Sequence, residues 1–261
     1  MRRIALGFLL GLLLIASAII LSPGASYARQ DRAQDAAPSS AAHPVGTDSL
    51  GRDRLTRVAA ASLLGVAGAS AAAFATTLIA AGVGTAAAFG PPLLSSVLLL
   101  VSDTFLALPW LFLLMMVRSG LRLQTAPLAS AGATFLILAL LGWPACARAV
   151  FSGARTISSA DWMIQGRAAG LRTTQIMRRQ VLPHLLPLLI PQFLISIPAF
   201  VMAEANLGTL GLGVAEPLPS WGSMLLELDS SAMLASTHWV YLPIVLLIVF
   251  LVSLELLVIE V

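Results

Sequence analysis

Residues 148–183 read RAVFSGARTISSADWMIQGRAAGLRTTQIMRRQVLP, and this stretch decides the fold. It holds six arginines (Arg148, Arg155, Arg167, Arg172, Arg178 and Arg179) and one acid, Asp161. Apolar runs close in on both sides. An arginine at mid-bilayer costs about 2.5–3.5 kcal/mol on the insertion scale, so this segment cannot cross lipid. It must lie outside the membrane. A charged helical loop between two spans is a docking surface for something soluble.

Composition makes the rest of the chain a membrane protein. Of 261 residues, 58% are hydrophobic and only 10% are charged; mean hydropathy is +0.93. A soluble domain has about a quarter of its residues charged. The expected fold is all-α and polytopic. All 15 basic residues are arginine, and the net charge of +3 is too small and scattered to argue for nucleic acid. Cys146 is the single cysteine, so the chain forms no internal disulfide and no thiol metal site; it reads as a small buried hydrophobe.

Working outward, Arg2 and Arg3 precede an apolar run from Ile4 to Leu21. With Ser26-Tyr27-Ala28 beyond it, this also fits a cleaved signal peptide. The run is long enough to span, and an uncleaved first helix over 1–22 is the favoured reading. Residues 23–57 are polar and extramembranous, with 29–42 expected to be flexible. Thr47 or Asp48 is expected to cap a helix starting near Ser49.

Further spans are expected at about 58–84, 93–117, 127–147, 183–203 and 239–257. The second is crowded with small residues. Ala61, Gly65 and Ala69 recur at steps of four, which lets helices approach closely, so this helix should be buried and not face lipid. Asp103 and Pro109 interrupt the third, and Arg118 and Arg122 mark its exit. Pro183, Pro187 and Pro191 recur every four residues in the fifth, which survives only where neighbouring helices satisfy its backbone. Six spans put both termini on one side. Eight arginines then lie on the side of the termini and seven on the other, so charge alone barely orients the chain.

Four blocks of sequence carry a resemblance. Gly170 followed by Leu182-Pro183 is similar to the cytoplasmic loop of binding-protein-dependent ABC importer permeases, although Ile164, Gln165 and Gly166 stand where that family has Glu-Ala-Ala. Residues 203–225, with Gly211-Leu212-Gly213 and Pro219-Ser220-Trp221-Gly222, resemble the segment after the fifth helix in the second permease subunit of dipeptide, oligopeptide and nickel importers. His43–Arg57 resembles that family's external segment, and Leu141-Gly142-Trp143-Pro144 with Arg148 its fourth helix.

The resemblance implies a transport subunit, not an enzyme. It implies a cytoplasmic loop at 148–182, both termini in the cytoplasm, and an inner-membrane location. It implies a second permease subunit, two ATPase subunits and an extracytoplasmic binding protein as partners. ATP and Mg would sit on the ATPase, and this chain would bind no cofactor. A coupling helix between spans four and five would involve Asp161, Trp162, Met163, Ile164, Gln165, Gly166, Arg167, Gly170 and Leu171. Its physics is a lever: Trp162, Met163 and Ile164 bury in a partner cleft, Arg167 and Arg172 meet the rim, and Gly170 permits a turn that a side chain would obstruct. The bland alternative is an amphipathic helix on anionic lipid. The external turn would involve Glu204, Gly208, Gly211, Gly213 and Trp221. Glu204 either holds the glycine-rich turn, the favoured reading, or contacts substrate.

Two other classes compete. A proton-coupled secondary carrier needs buried acids, for which Asp103 and Glu204 are thin support. Asp103 needs a partner, and Ser102 and Thr104 are the local candidates. A polytopic membrane enzyme needs clustered catalytic groups, and His, Asp and Ser do not cluster here. His184 reads as structural, and His43 and His238 are too isolated for a metal site. The chain has no lysine, so no phosphate-binding GlyxxxxGlyLys loop exists in it.

Overall fold

The computed structural model describes residues 2–121, 126–158, 160, 165, 170–229 and 241–259. Among these there is no strand, only one isolated bridge between Thr47 and Asp53. The fold is organised on α2 (Arg54–Phe89), which packs against α1 (Arg2–Leu21), α5 (Pro127–Leu141), α6 (Trp143–Ser158) and α7 (Leu182–Thr209).

Small side chains put α2 there. Ala61, Ala69, Ala73 and Ala80 are fully buried. A Cβ on Gly84 would lie 2.7 Å from the Ala147 carbonyl oxygen and from Val150, so α2 and α6 touch almost backbone to backbone. The expectation that α2 avoids lipid altogether is corrected. Ala67, Ala71, Phe74, Leu78 and Gly82 form an exposed stripe along one face. The start of α2 is corrected too. Asp53 is the N-cap, its Oδ2 accepting from the Thr56 N–H at 2.8 Å, and not Thr47 or Asp48.

The expected third span is two helices, α3 (Pro92–Ala107) and α4 (Trp110–Ser119), bent by 92°. Pro109 lacks an N–H and drives the residue before it out of the helical region, and Leu108 is extended. Asp103 finds its partner across the bundle. Arg148 Nε lies 3.4 Å from its carboxylate, while Ser102 and Thr104 donate back to their own helix carbonyls.

The arginine stretch is less of a loop than its charge suggests. Helix α6 runs to Ser158, because Val150 and Ala154 remain on a buried face while Arg148 and Arg155 project outward. On the far side a short helix (Thr173–Ile176) feeds a π turn (Met177–Val181), which runs directly into α7. Pro187, Pro191 and Pro198 sit inside α7 without ending it. A second core ties this exit down: Ile176, Val181, Leu185 and Leu189 pack with Ala80, Cys146, Val150 and Ala154.

Beyond α7 come α8 (Trp221–Leu226), closed by a capping box at Ser220 and Ser223, and α9 (Leu242–Ile259). Among the described residues three helical stretches are long and apolar enough to cross a membrane: Arg54–Phe89, Pro127–Ser158 and Met177–Thr209. The bent α3–α4 pair makes a fourth if counted as one span, and Ala5–Leu21 and Leu242–Leu257 are shorter apolar helices.

Candidate functional site

The segment before α2 is built around one buried acid. Asp48 Oδ1 accepts from the Leu50 and Arg52 N–H groups at 2.8 and 2.9 Å, and Oδ2 takes the Arg52 Nε at 2.6 Å. Thr47 Oγ1 donates to the Gln34 carbonyl and accepts from the Ala37 N–H at 2.8 Å. Residues 31–37 are therefore fastened to the loop. The expected flexibility of 29–42 is corrected for this part: a 3-10 turn at Arg32–Gln34 is capped by Asp31.

Arginines from this segment pair with acids 159 to 170 positions further along the chain. Arg52 Nη1 bonds Glu216, and Arg57 Nη2 bonds Glu216 at 3.0 Å and Glu227 at 3.4 Å. Arg57 Nε lies 3.5 Å from Asp48, and Arg54 Nε 4.0 Å from Glu227. Arg52, Arg54 and Arg57 thus face Asp48, Glu216 and Glu227, a neutral set. Arg57 and Asp48 are wholly buried. Burial pushes the Glu227 carboxyl above its ordinary range; Asp48 adds to this, and Arg57, Arg54 and Arg52 oppose it. Arg52 is raised despite the opposing effect of its burial, because Asp48 and Glu216 hold its charge.

Under this network lies the glycine-rich turn. A Cβ on Gly208 would meet the Gly222 Cα at 2.4 Å, and one on Gly213 the Gly208 Cα at 2.6 Å. Three backbones touch where α7, the turn and α8 meet. Gly211 sits in the turn at φ +72°. Glu204 is buried beside them, interacting with the Ser220 hydroxyl and the backbone of Trp221 and Gly222, while its Oε1 has no hydrogen-bond partner. Trp221 is fully buried. It stacks on Phe250 at 6.0 Å, with its ring edge filling the space left by Gly65 of α2.

Glu204, Gly208, Gly211, Gly213 and Trp221, the five residues expected at the turn, lie together around the junction of α7 and α8. Arg118, expected only to mark a helix exit, is buried. Its Nη2 donates to Ser130 Oγ at 2.7 Å and to the Gly213 carbonyl at 2.9 Å, and the Ala215 N–H donates to the same Ser130 Oγ at 3.0 Å. A chamber of about 460 Å³ opens between Arg52, Arg118, the glycine turn, Glu216 and Glu227.

The elbow at the opposite end shows less. Asp161, Trp162, Met163, Ile164, Gly166 and Arg167 lie outside the described residues. Gln165 is exposed, and Leu171 packs at the edge of the second core. Gly170 turns at φ +77°, but a Cβ there would meet nothing. The demand for glycine at this turn is conformational, since a side chain there strains the left-handed backbone. The Arg172 N–H donates to Gln175 Oε1 at 2.9 Å, which starts the next helix. His184 Nδ1 lies 2.6 Å from the Gln180 carbonyl. His43 Nδ1 lies 3.0 Å from Asp53, and no group of three metal-ligating side chains exists among the described residues.

Sequence reasoning missed the ion network and Arg118. Asp48 and Arg52 stand four apart, which is a local signal. Nothing local ties Arg57 to Glu216 and Glu227, because that pairing exists only after α2 and α7 pack.

Residues 78–259 match the model of the binding-protein-dependent transport system inner membrane component. A dipeptide transport system permease protein of Bacillus subtilis is 31% identical over 89% of this chain and 71% of its own. A di/tripeptide transport system permease of Pseudomonas aeruginosa is 31% identical over 85% and 74%. An oligopeptide transport system permease of Escherichia coli is 27% identical over 86% and 74%. With this match across α2 to α9, the chain belongs to the family of binding-protein-dependent transport system inner membrane components.

Proposed function

We propose that this chain is one permease half of an ATP-driven importer of short peptides, corresponding to the second permease subunit. The observation that carries this reading is the set of relatives named for dipeptide, tripeptide and oligopeptide transport, which align over most of the chain. Nickel, the other solute that the resemblance suggested, has no support among them. In this reading α1, α2, the bent α3–α4 pair, α5–α6, α7 and α9 are six spans. Both termini and the elbow lie in the cytoplasm of a cell whose inner membrane holds the protein. Its partners are a second permease, two ATPase subunits that carry ATP and Mg, and an extracytoplasmic binding protein.

The mechanism follows from stiffness. The elbow, centred on 158–171, docks in an ATPase cleft. Its exit runs through the π turn into α7 without a break, and the second core clamps that junction to α2 and α6. Helix α7 ends at the glycine turn and the charged network. A push at the elbow therefore acts through one long helix on the external end. The carrier reading loses ground because Asp103 is half exposed and paired with Arg148.

The test is reconstitution with the partner subunits. The reading expects ATP-dependent dipeptide uptake, and ATPase co-purification that fails with Gly170→Trp or Trp162→Asp. If both variants retain normal binding-protein-stimulated hydrolysis, the docking site is wrong. If no dipeptide is taken up, the substrate class is wrong.

A further inference from the structure

The chamber beneath the charged network has an unbalanced feature. Its polar lining is Ser49, Arg52, Arg118, Glu216, Ser223 and Glu227, and the rest of the wall is the glycine turn with Val214, Ala215 and Leu226. Arg52 is neutralised by Asp48 and Glu216, and Glu227 lies beside Arg54 and Arg57. Arg118 differs. Its side chain is buried, no described acid pairs with it, and its two hydrogen bonds to the protein both use Nη2. Nε is buried without a partner. A buried guanidinium without a counter-charge is costly unless something brings one.

We propose that this chamber is a transit site for short peptides, in which Arg118 receives the free α-carboxylate while the ammonium end faces Glu216 and Glu227. The inference rests on the peptide-importer reading and names a site within it. Volume fits: about 460 Å³ lies within the usual range of ligand sites, roughly 300–1,000 Å³. Charge fits as well. Arg52, Arg54 and Arg57 already match Asp48, Glu216 and Glu227, so Arg118 is the unmatched charge of the chamber and a carboxylate answers it, while the half-exposed Glu216 is open to an ammonium. Ser130 and the Gly213 carbonyl hold Nη2 and fix the plane of the guanidinium, so the group is oriented before a ligand arrives. The glycine wall lets a peptide backbone approach closely. Arg118 also joins α4 to the turn, so an occupied site and the position of the turn are linked.

The experiment uses the complete importer complex in nanodiscs, without binding protein. Two photoreactive probes are compared: glycyl-p-benzoylphenylalanine with a free carboxylate, and its C-terminal amide. Cross-linked positions are mapped by mass spectrometry, with glycyl-leucine or inorganic phosphate as competitor. The free acid should label the chamber wall around residues 211–216 about tenfold more than the amide, the loss expected for one charge-assisted contact. Arg118→Gln should remove that preference and Arg118→Lys should keep most of it. Glycyl-leucine should compete and phosphate should not. Equal labelling by acid and amide in the unsubstituted complex overturns the proposal, whatever the variants do. So does undiminished labelling of Arg118→Gln, or competition by phosphate as strong as by glycyl-leucine. If the same complex imports dipeptides in proteoliposomes supplied with binding protein yet labels indifferently in nanodiscs, this site alone falls; if it imports none there, the function on which the site rests falls.

Discussion

The two ends of α7 handle arginine in opposite ways. At the end that meets the glycine turn Arg52 and Arg57 are buried and matched against Asp48, Glu216 and Glu227. At the elbow Arg155, Arg172, Arg178 and Arg179 are exposed and make no ion pair with a described residue. The first set is complete within the chain and the second is not. The buried charges of this network are paired where they stand, because leaving one unpaired costs several kcal/mol. Exposed charges are solvated and can wait for a partner. The glycine-turn end is therefore a structural clamp, and the elbow is a surface.

That contrast predicts unequal responses to mutation. Arg57→Ala should have the largest effect. It takes one buried cation from the set and leaves Asp48, Glu216 and Glu227 with Arg52 and Arg54 alone, which should cost about 3–5 kcal/mol and show as a large fall in the thermal midpoint of the purified complex. A midpoint within a degree of the parent would mean that the network is not a clamp.

Gly208→Ala should come next. Its Cβ would stand 2.4 Å from the Gly222 Cα, backbone against backbone, so α7 and α8 must separate. The expected cost is about 1–3 kcal/mol, as for other overpacked sites. Gly170→Ala should cost about 1–2 kcal/mol at most, since only the left-handed backbone opposes it and no neighbour is met. Comparing the two melting curves separates a steric glycine from a conformational one. If Gly170→Ala destabilises more than Gly208→Ala, the assignment is reversed.

The pH response of the clamp is a finer probe. Burial raises the folded-state pKa of Glu227 above its unfolded value. The folded protein therefore takes up this proton first. The contribution of Glu227 is most favourable below the ordinary carboxylate pKa and weakens as pH rises through the raised value. Stability of Glu227→Gln, followed against pH, should lack that falling component. A parent and a variant with the same pH slope would contradict the shift.

The smallest effect on stability should come from Arg178→Glu and Arg179→Glu. Both side chains are exposed, so each should change stability by no more than about 0.5 kcal/mol while lowering ATPase stimulation. Loss of folding without loss of coupling would erase the distinction between the two ends.

How legible this was in the sequence follows the same division. Membrane class, helix order, the breaking prolines and the convergence at Glu204, Gly208, Gly213 and Trp221 could be read from composition and from short specific blocks. Helix ends could not. Helix α6 runs past Ala147 because Val150 and Ala154 find a buried partner surface on α2, which no local pattern announces. The 92° bend at Pro109 was visible as a proline, but proline inside a helix also stands unbroken at Pro187, Pro191 and Pro198. Packing decides between the two outcomes. The Arg57–Glu216 pair joins residues brought together only by the finished fold, as does Asp103 with Arg148.

The sidedness of the elbow is the claim on which the account turns. Gln165→Cys and Ser39→Cys, each in a chain with Cys146→Ala, place single exposed thiols at the elbow and at the clamp end. In intact cells a membrane-impermeant maleimide should label position 39 and spare position 165. In inverted vesicles position 165 should react, and bound ATPase should protect it. Labelling of position 165 from outside intact cells would contradict the account.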